Sequence, residues 1–292
     1  MKFLNALING ISLGSIYAII AIGYTMVYGI AKMLNFAHGD VIMIGGYVAY
    51  FAIVSNGMDP VLGFLLTMIF TTLLGVVVEK LAYSPLRSAP SLAVLITAIG
   101  VSYFLQNIVL LIFGSTPKMF SGISLPNLSL MGGKLTVSGV TILTIVVSVL
   151  IVVSLVFFIN KTKIGKSMLA VSEDRDAAKL MGINVNFTIS VTFAIGSALA
   201  AIATFLYFSA YPSVTNTAGA MPGIKAFIAA VFGGIGSIPG AMVGGILLGI
   251  IEILSATYIS TNLSLAIVFG ILIVLIIIKP TGIFGKKIKE KV

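Results

Sequence analysis

Residues 135–160 read LTVSGVTILTIVVSVLIVVSLVFFIN, a run of 26 amino acids without a charged side chain. As an α-helix this run is about 39 Å long, enough to cross the ~30 Å hydrocarbon core of a bilayer. The next residues, KTKIGKSMLAVSEDRDAAKLMGIN at 161–184, hold five of the 17 Lys and Arg and three of the eight Asp and Glu. The boundary at 160/161 therefore predicts a membrane span followed by a segment in water.

The same contrast between uncharged runs and charged breaks recurs along the chain. Each uncharged run reaches about the 18 residues that a spanning helix needs, and the ten-residue alternating segments of membrane barrels are not seen. With 59% hydrophobic and 9% charged residues, the chain has too little polar surface for a globule in water. We predict an all-α polytopic membrane protein that forms a single domain over residues 1–292. The uncharged runs cover 3–31, 41–58, 60–78, 88–117, 135–160, 180–224, 226–251 and 253–278.

Basic residues set the predicted orientation. The net charge of +9 is spread over loops and a tail rather than along one face, which argues against a nucleic-acid partner. If the segment 161–186 and the tail 279–292 are cytoplasmic, 13 bases lie inside and four outside when spans alternate. Cytoplasmic loops of membrane proteins carry such an excess of Lys and Arg. We therefore expect a multi-pass membrane protein with a cytoplasmic C-terminus.

Seven full spans are predicted, and an eighth apolar segment is unusual. Residues 224–254 are interrupted by the glycine-rich sequence GGIGSIPG at 233–240. In the predicted orientation this segment begins and ends on the outer side, which suits a re-entrant hairpin of two half-helices, since Gly and Pro are tolerated at such breaks. The alternative is one long kinked span. The seven full spans are predicted at 7–30, 41–54, 61–81, 91–113, 137–159, 187–208 and 263–278.

Polar residues near the spans are the candidates for a solute path. Ionisable groups within spans often mark transport pathways, and Glu252 is the only plausible deep carboxylate, although an interfacial position in contact with water is an alternative. The break at 236–239 frees backbone groups, and a solute pathway is one possible source of their partners. The polar turn NFAHGD at 35–40 holds the only histidine. The candidate path residues are Asn35, His38, Asp40, Gly236, Ser237, Pro239 and Glu252.

No cofactor is expected in this chain. It has no cysteine and one histidine, which excludes disulfides and argues against structural zinc. The sequence Gly165-Lys166-Ser167 matches the end of a nucleotide-binding P-loop, but position 160 is Asn where that motif has Gly, and a membrane span replaces the required strand. Because no other nucleotide-binding or catalytic motif is present, we expect a transport subunit without enzymatic activity.

The second half of the charged segment predicts a short surface helix over 172–181. Ser172 is a good N-cap, Glu173 and Asp174 suit the positive end of the helix dipole, and Gly182 suits a C-terminal stop. Ala177, Ala178, Leu180 and Met181 are expected to supply its apolar contacts. A structured helix in a loop between spans suggests docking to a partner, with an ordinary solvated loop helix as the alternative.

Three segments resemble a known family. NFAHGD at 35–40, AVSEDRDAAKLMGIN at 170–184 and GIKAFIAAVFGGIGSIPGAMVGGILLG at 223–249 are similar, in this order, to the LivH-type permease subunit of bacterial branched-chain amino acid ABC importers. The resemblance covers nearly the whole chain. It implies a LivM-type permease partner, two cytoplasmic ATPases that bind the ATP, and an extracytoplasmic binding protein for Leu, Ile or Val. It also implies that the cytoplasmic helix couples to an ATPase.

The resemblance carries over to a defined set of coupling residues. The residues that match the family's loop are Ala170, Glu173, Asp174, Ala177, Ala178 and Gly182. The predicted coupling residues also include Ser172, Arg175 and Asp176 of the same segment. Two alternatives stay open at this point. The family also contains permeases for urea, other amides or other amino acids, and Glu252 with the broken hairpin is also compatible with a stand-alone ion-coupled carrier.

Overall fold

The computed structural model describes residues 2–120, 123, 125–130 and 135–285. Within them nearly all regular structure is helical, and the four short strands form two antiparallel pairs, β1 with β4 and β2 with β3. The helices are α1 Lys2–Ala31, α2 His38–Ala49, α3 Pro60–Val78, α4 Ser91–Phe113, α5 Gly139–Lys161, α6 Lys163–Glu173, α7 Arg175–Leu180, α8 Val185–Ala210, α9 Ala220–Gly233, α10 Ile238–Tyr258 and α11 Thr261–Ile278. The strands are β1 Lys118–Met119, β2 Leu128–Leu130, β3 Leu135–Val137 and β4 Ser213–Val214.

Two helices continue in other helical forms. A π-helical turn, Tyr50–Ser55, extends α2, and a π turn at Glu79–Tyr83 followed by a 3-10 turn at Ser84–Leu86 extends α3. With these extensions, eight helices in the described part of the chain are long and apolar enough to cross a membrane. The predicted class is confirmed: this is an all-α polytopic membrane protein.

The glycine-rich segment is broken where the sequence predicts. Helix α9 ends at Gly233, α10 begins at Ile238, and Gly234 and Gly236 between them adopt positive φ angles of 102° and 93°. The sequence predicts two half-helices, and this prediction is wrong for α10, which is too long to be a half-helix. Helix α10 has 21 residues, about 31 Å, and is long enough to span, whereas α9 has 14 residues, about 21 Å, and is not.

The described chain divides into two compact units. The first contains Met1–Thr25, Leu125–Val152 and Lys225–Val292, and the second contains Met26–Ser124 and Val153–Ile224. Helices α1, α5 and α9 each pass from one unit into the other without interruption.

In the first unit, glycines bring the backbones of α1 and α10 together. A Cβ atom added at Gly10 would lie 2.8 Å from Cα of Ile250, and one at Gly14 would lie 2.6 Å from Cα of Ile246. On α10, Gly249 directly faces backbone atoms of Gly14 and Gly10. Small residues permit such close approach in lipid, where dispersion contacts and not the hydrophobic effect hold helices together.

The break between α9 and α10 is closed by hydrogen bonds within the first unit. The N–H of Gly236 donates to Oγ1 of Thr25 at 3.1 Å. The carbonyls of Phe232 and Gly233 accept from the N–H groups of Ile283 and Phe284, at 3.0 and 2.9 Å. These three backbone groups therefore have partners within the protein. The proposed path role of Gly236, Ser237 and Pro239 remains a prediction.

In the second unit, α2, α3 and α8 pack on one another at small or hydroxylated residues. Gly75 of α3 faces the side chain of Ser197 on α8, so that a Cβ at this position has no room. Thr204 of α8 lies against Gly45 of α2, and its hydroxyl donates to the carbonyls of Ile42 and Ala200, at 3.2 and 2.8 Å. Buried hydroxyl groups thus donate hydrogen bonds to backbone carbonyls, and the small residues let the helices pack closely.

The α1–α10 contact predicts the effect of a single methyl group. Gly249→Ala should lower the free energy of unfolding by about 1–3 kcal/mol, because the new Cβ overlaps backbone that has no rotamer to change. Thermal unfolding in detergent measures this. The matched control is Gly270→Ala in α11, where no described atom lies within 4 Å of the added Cβ and stability should be unchanged or slightly higher. Equal stability of both variants would contradict the close packing.

Candidate functional site

The charged segment between α5 and α8 folds as two short helices, α6 and α7, each with its own N-cap. Oγ1 of Thr162 accepts from the N–H of Gly165 at 3.0 Å at the start of α6. Asp174 is extended, and its Oδ1 accepts from the N–H groups of Asp176 and Ala177 at 2.9 and 3.0 Å. Gly182, with φ of 81°, follows α7 as the predicted stop.

The predicted helix over 172–181 is wrong at its start. Ser172 lies inside α6, and its hydroxyl donates to the carbonyl of Leu169 at 2.7 Å instead of capping a helix. Ser and Asp are both good N-caps, so the local sequence offers two starting points two residues apart. The apolar face of α6 decides between them, because Met168 and Val171 are buried and hold the chain helical through Glu173.

The inner faces of α6 and α7 are tied to the end of α1 by an apolar cluster. Met168, Val171 and Ala178 are buried with Ile30, and Phe158, Ile183 and Ile195 are packed against them. Gly165 permits the tight passage from α5 to α6, since a Cβ there would overlap backbone atoms of Phe158 and Ile159. The segment is therefore a folded part of the second unit rather than a loose loop.

The outer face of α7 exposes apolar side chains. Leu180 and Met181 are 89% and 82% exposed, and Ala177 is also exposed. Of the four residues expected to supply the apolar contacts of this helix, only Ala178 is buried within the protein. Among the other predicted coupling residues, Glu173, Asp174, Asp176 and Gly182 are exposed, and Ala170, Ser172 and Arg175 are partly buried.

Arg175 points inward, away from that outer face. Its guanidinium donates to the carbonyl oxygen of Ala31, the last residue of α1. A cation is favourable there because the last carbonyls of a helix lack partners and carry partial negative charge. Burial, and secondly the positive charge of Arg87, lower the pKa of Arg175. An arginine remains charged at neutral pH even so, and the contact is a charge-assisted cap.

Arg87 holds a second polar junction in the same unit. Its guanidinium contacts the carboxylate of Glu79, which is fully buried, and the side chain of Asn186 near the start of α8. Oε2 of Glu79 also accepts from the hydroxyl of Ser190 at 2.8 Å. These contacts join the extension of α3 to α8. Sequence reasoning missed them because nothing in the spacing of residues 79, 87, 186 and 190 indicates contact.

The candidate path residues of the second unit are buried in polar contacts. Oδ1 of Asn35 accepts from the hydroxyl of Tyr83 at 2.9 Å, and Oδ1 of Asp40 accepts from Nε2 of Gln106 at 2.9 Å. His38 is 1% exposed at the start of α2. The proposed path role of these three remains a prediction.

The candidate path residues of the first unit divide into two kinds. Gly236, Ser237 and Pro239 build the break, where Oγ of Ser237 accepts from the N–H of Gly240 at 3.1 Å as the N-cap of α10. Glu252 is different, because its carboxylate forms an ion pair with Lys225. Nζ of Lys225 lies 2.6 Å from Oε1 of Glu252, and the side chains of Lys225 and Glu252 are 11% and 14% exposed.

Two chemical alternatives find no support in the described residues. Gly165, Lys166 and Ser167 lie within α6, which follows the long helix α5, so the strand that a P-loop requires is replaced by a helix. Searched over the described ranges, His, Asp and Glu form no group of three that would hold a metal ion.

Known proteins resemble this chain over almost its whole length. The family model described as "Branched-chain amino acid transport system / permease component" matches residues 6–277. The high-affinity branched-chain amino acid transport system permease protein BraD of Pseudomonas aeruginosa is 44% identical over 99% of this chain and 98% of its own. The permease protein LivH of Escherichia coli K12, of the same description, is 42% identical over 100% and 98%.

One solved structure has a similar fold. The chain from PsaBC of Streptococcus pneumoniae in complex with Fab matches with a TM-score of 0.50 at 16% identity, covering 96% of this chain and 93% of that one. At this identity the match concerns the fold alone. The family model and the two relatives are more specific. They show that the chain belongs to the family of permease components of branched-chain amino acid transport systems.

Proposed function

We propose that this chain is one of two permease subunits of an ABC importer for branched-chain amino acids. Its partners are a LivM-type permease, two cytoplasmic ATPases that bind ATP, and an extracytoplasmic binding protein that delivers Leu, Ile or Val. The names of the relatives support this solute class over urea and other amides. The excess of basic residues at 161–186 and 279–292 supports a cytoplasmic position for both segments.

The observation that carries the proposal is the exposed apolar end of α7. Leu180 and Met181 stand almost fully exposed beside Lys179 and Asp176, in a segment too polar to lie in lipid. Exposed apolar groups rimmed by polar ones are typical of protein contacts. Because the inner face of the same helix is packed on the end of α1, a partner at this surface is mechanically connected to a long helix.

The mechanism follows from these two faces. Closure of the ATPases on ATP moves α6 and α7 as one body, since their inner sides share the cluster around Met168 and Ala178. Arg175 transfers that movement to the last turn of α1 through the carbonyl of Ala31. In this scheme the permease supplies no catalytic group. It converts a movement at its cytoplasmic surface into a change of access for the solute.

A stand-alone ion-coupled carrier has less support. Its main feature was a deep carboxylate, and the carboxylate of Glu252 is already neutralised by Lys225. Leucine uptake by the purified chain in liposomes, with an ion gradient and without ATPases, would favour the carrier and overturn the importer.

Polar substitution of the exposed pair tests the docking surface. Leu180→Ser with Met181→Ser should reduce copurification of the ATPases by about tenfold or more, since buried apolar contacts are worth about 1.5–3 kcal/mol per side chain. The protein itself should fold normally because neither side chain packs in the unit. Leu180→Met is the matched control and should retain the ATPases. Full retention by the double serine variant would exclude this surface.

Loss of the arginine cap tests the transfer step separately. Arg175→Met should leave ATPase copurification intact, because the outer face of α7 is unchanged, and should lower the stimulation of ATP turnover by loaded binding protein. Arg175→Lys, which restores a cation near the Ala31 carbonyl, should recover part of that stimulation. Lys179→Met, an exposed cation in the same helix, is the control. Normal stimulation in Arg175→Met would show that the cap has no part in coupling.

A further inference from the structure

Three side chains in the first unit form an isolated polar centre between apolar helices. Lys225 of α9 donates from Nζ to Oε1 of Glu252 on α10 at 2.6 Å and to the hydroxyl of Tyr17 on α1 at 3.1 Å. Tyr17 is 3% exposed, and the Lys225 ammonium also lies 5.4 Å from the centre of its ring. The centre is a folded arrangement contributed by three helices, not a chance surface pair.

Burying an ion pair of this kind costs free energy, so its presence indicates a functional role. Removing two opposite charges from water costs several kcal/mol per ion, and apolar residues of similar volume often replace a buried pair without loss of stability. The penalty is larger within a membrane, where ionisable side chains usually belong to a pathway. Packing alone is therefore a poor explanation of Lys225 and Glu252.

The hydrogen-bonding capacity of the pair is not exhausted. An ammonium group has three N–H donors, and Lys225 uses one on Glu252 and one on Tyr17. Oε2 of Glu252 has no hydrogen-bond partner within the described part of the chain. The centre therefore has one cationic donor and one anionic acceptor that form no hydrogen bond with the described residues.

We infer that this centre is a contact site for the zwitterionic group of an α-amino acid on its way through the permease. The remaining N–H of Lys225 donates to the solute carboxylate, and Oε2 of Glu252 accepts from its ammonium group. A lone carboxylic acid or a lone amine satisfies only one of these two positions. The inference rests on the proposed function for the presence of the solute and adds the side chains that contact it.

Charge and surroundings both suit a branched aliphatic amino acid. The pair and the zwitterion each have zero net charge, so the solute passes without leaving an uncompensated charge among the helices. One turn away on the same helix faces lie Ile228, three residues after Lys225, and Leu248, four residues before Glu252, and both are buried. An aliphatic side chain beside the charged pair would meet apolar neighbours.

The first experiment uses the unmodified protein. The permease–ATPase complex, purified without binding protein, is examined by saturation-transfer NMR with L-leucine, 4-methylpentanoate and 3-methylbutylamine, which share the branched side chain. We expect saturation transfer to L-leucine and much less to the two compounds that have only one charged group. Equal transfer to all three compounds, or none to leucine, would overturn the inference. Neither result depends on the folding of a variant.

The second experiment separates solute contact from structure. Lys225→Met with Glu252→Met in one chain removes the pair without leaving a single buried charge, and Lys2→Met controls for loss of a lysine from the same unit. Leucine uptake per ATP hydrolysed should fall about tenfold in the double variant, as expected for lost charge-assisted hydrogen bonds. Uptake equal to that of the unmodified complex would overturn the inference. A failure of ATPase copurification in the unmodified complex would instead refute the proposed function.

Discussion

Every backbone N–H and C=O group in the hydrocarbon region must find a partner within the protein, and the whole fold follows from this requirement. It explains why the spans are helices and why the irregular passage at 234–237 is held by hydrogen bonds from other parts of the chain. The hydroxyl of Thr25 and the backbone of Ile283 and Phe284 supply the missing partners. The short helix α9 can therefore end among apolar helices because Ile283 and Phe284 complete its last turn, and Thr25 binds the break that follows.

The lipid imposes a second requirement, which is that the helices pack closely on one another. Lipid provides little hydrophobic force between helices, so the first unit uses glycines to bring backbones within van der Waals contact. Gly10, Gly14 and Gly249 serve the α1–α10 contact, and Gly75 and Gly45 serve the helix contacts of the second unit. Long apolar side chains lie on the outer surface instead. Leu111 and Ile277, for example, are 84% and 77% exposed, as expected for contact with lipid or a partner.

The sequence predicts what depends on composition and fails where a contact depends on distant residues. Spans, the break at 233–240 and the stop at Gly182 follow from hydropathy and from the conformational freedom of glycine. Ser172 and Asp174 are equally good N-caps by local rules, and the burial of Met168 and Val171 keeps Ser172 inside α6. The partners of Glu252, Arg175 and Glu79 lie 27, 144 and 8 residues away in sequence, and no periodicity connects them. The two sides of α7 were likewise indistinguishable until its packing was known.

These missed contacts give α1 a central position in the proposed transport cycle. It is one uninterrupted helix that has Tyr17 at its middle and Ala31 at its end, about 21 Å apart along the axis. Arg175 holds the end that the coupling helices move, and Tyr17 accepts a hydrogen bond from Lys225 in the pair assigned to the solute. A helix transmits displacement along its axis better than a loop does, because its hydrogen bonds resist stretching. The proposed cycle thus predicts that Tyr17 and its hydrogen bond with Lys225 respond when the last turn of α1 moves.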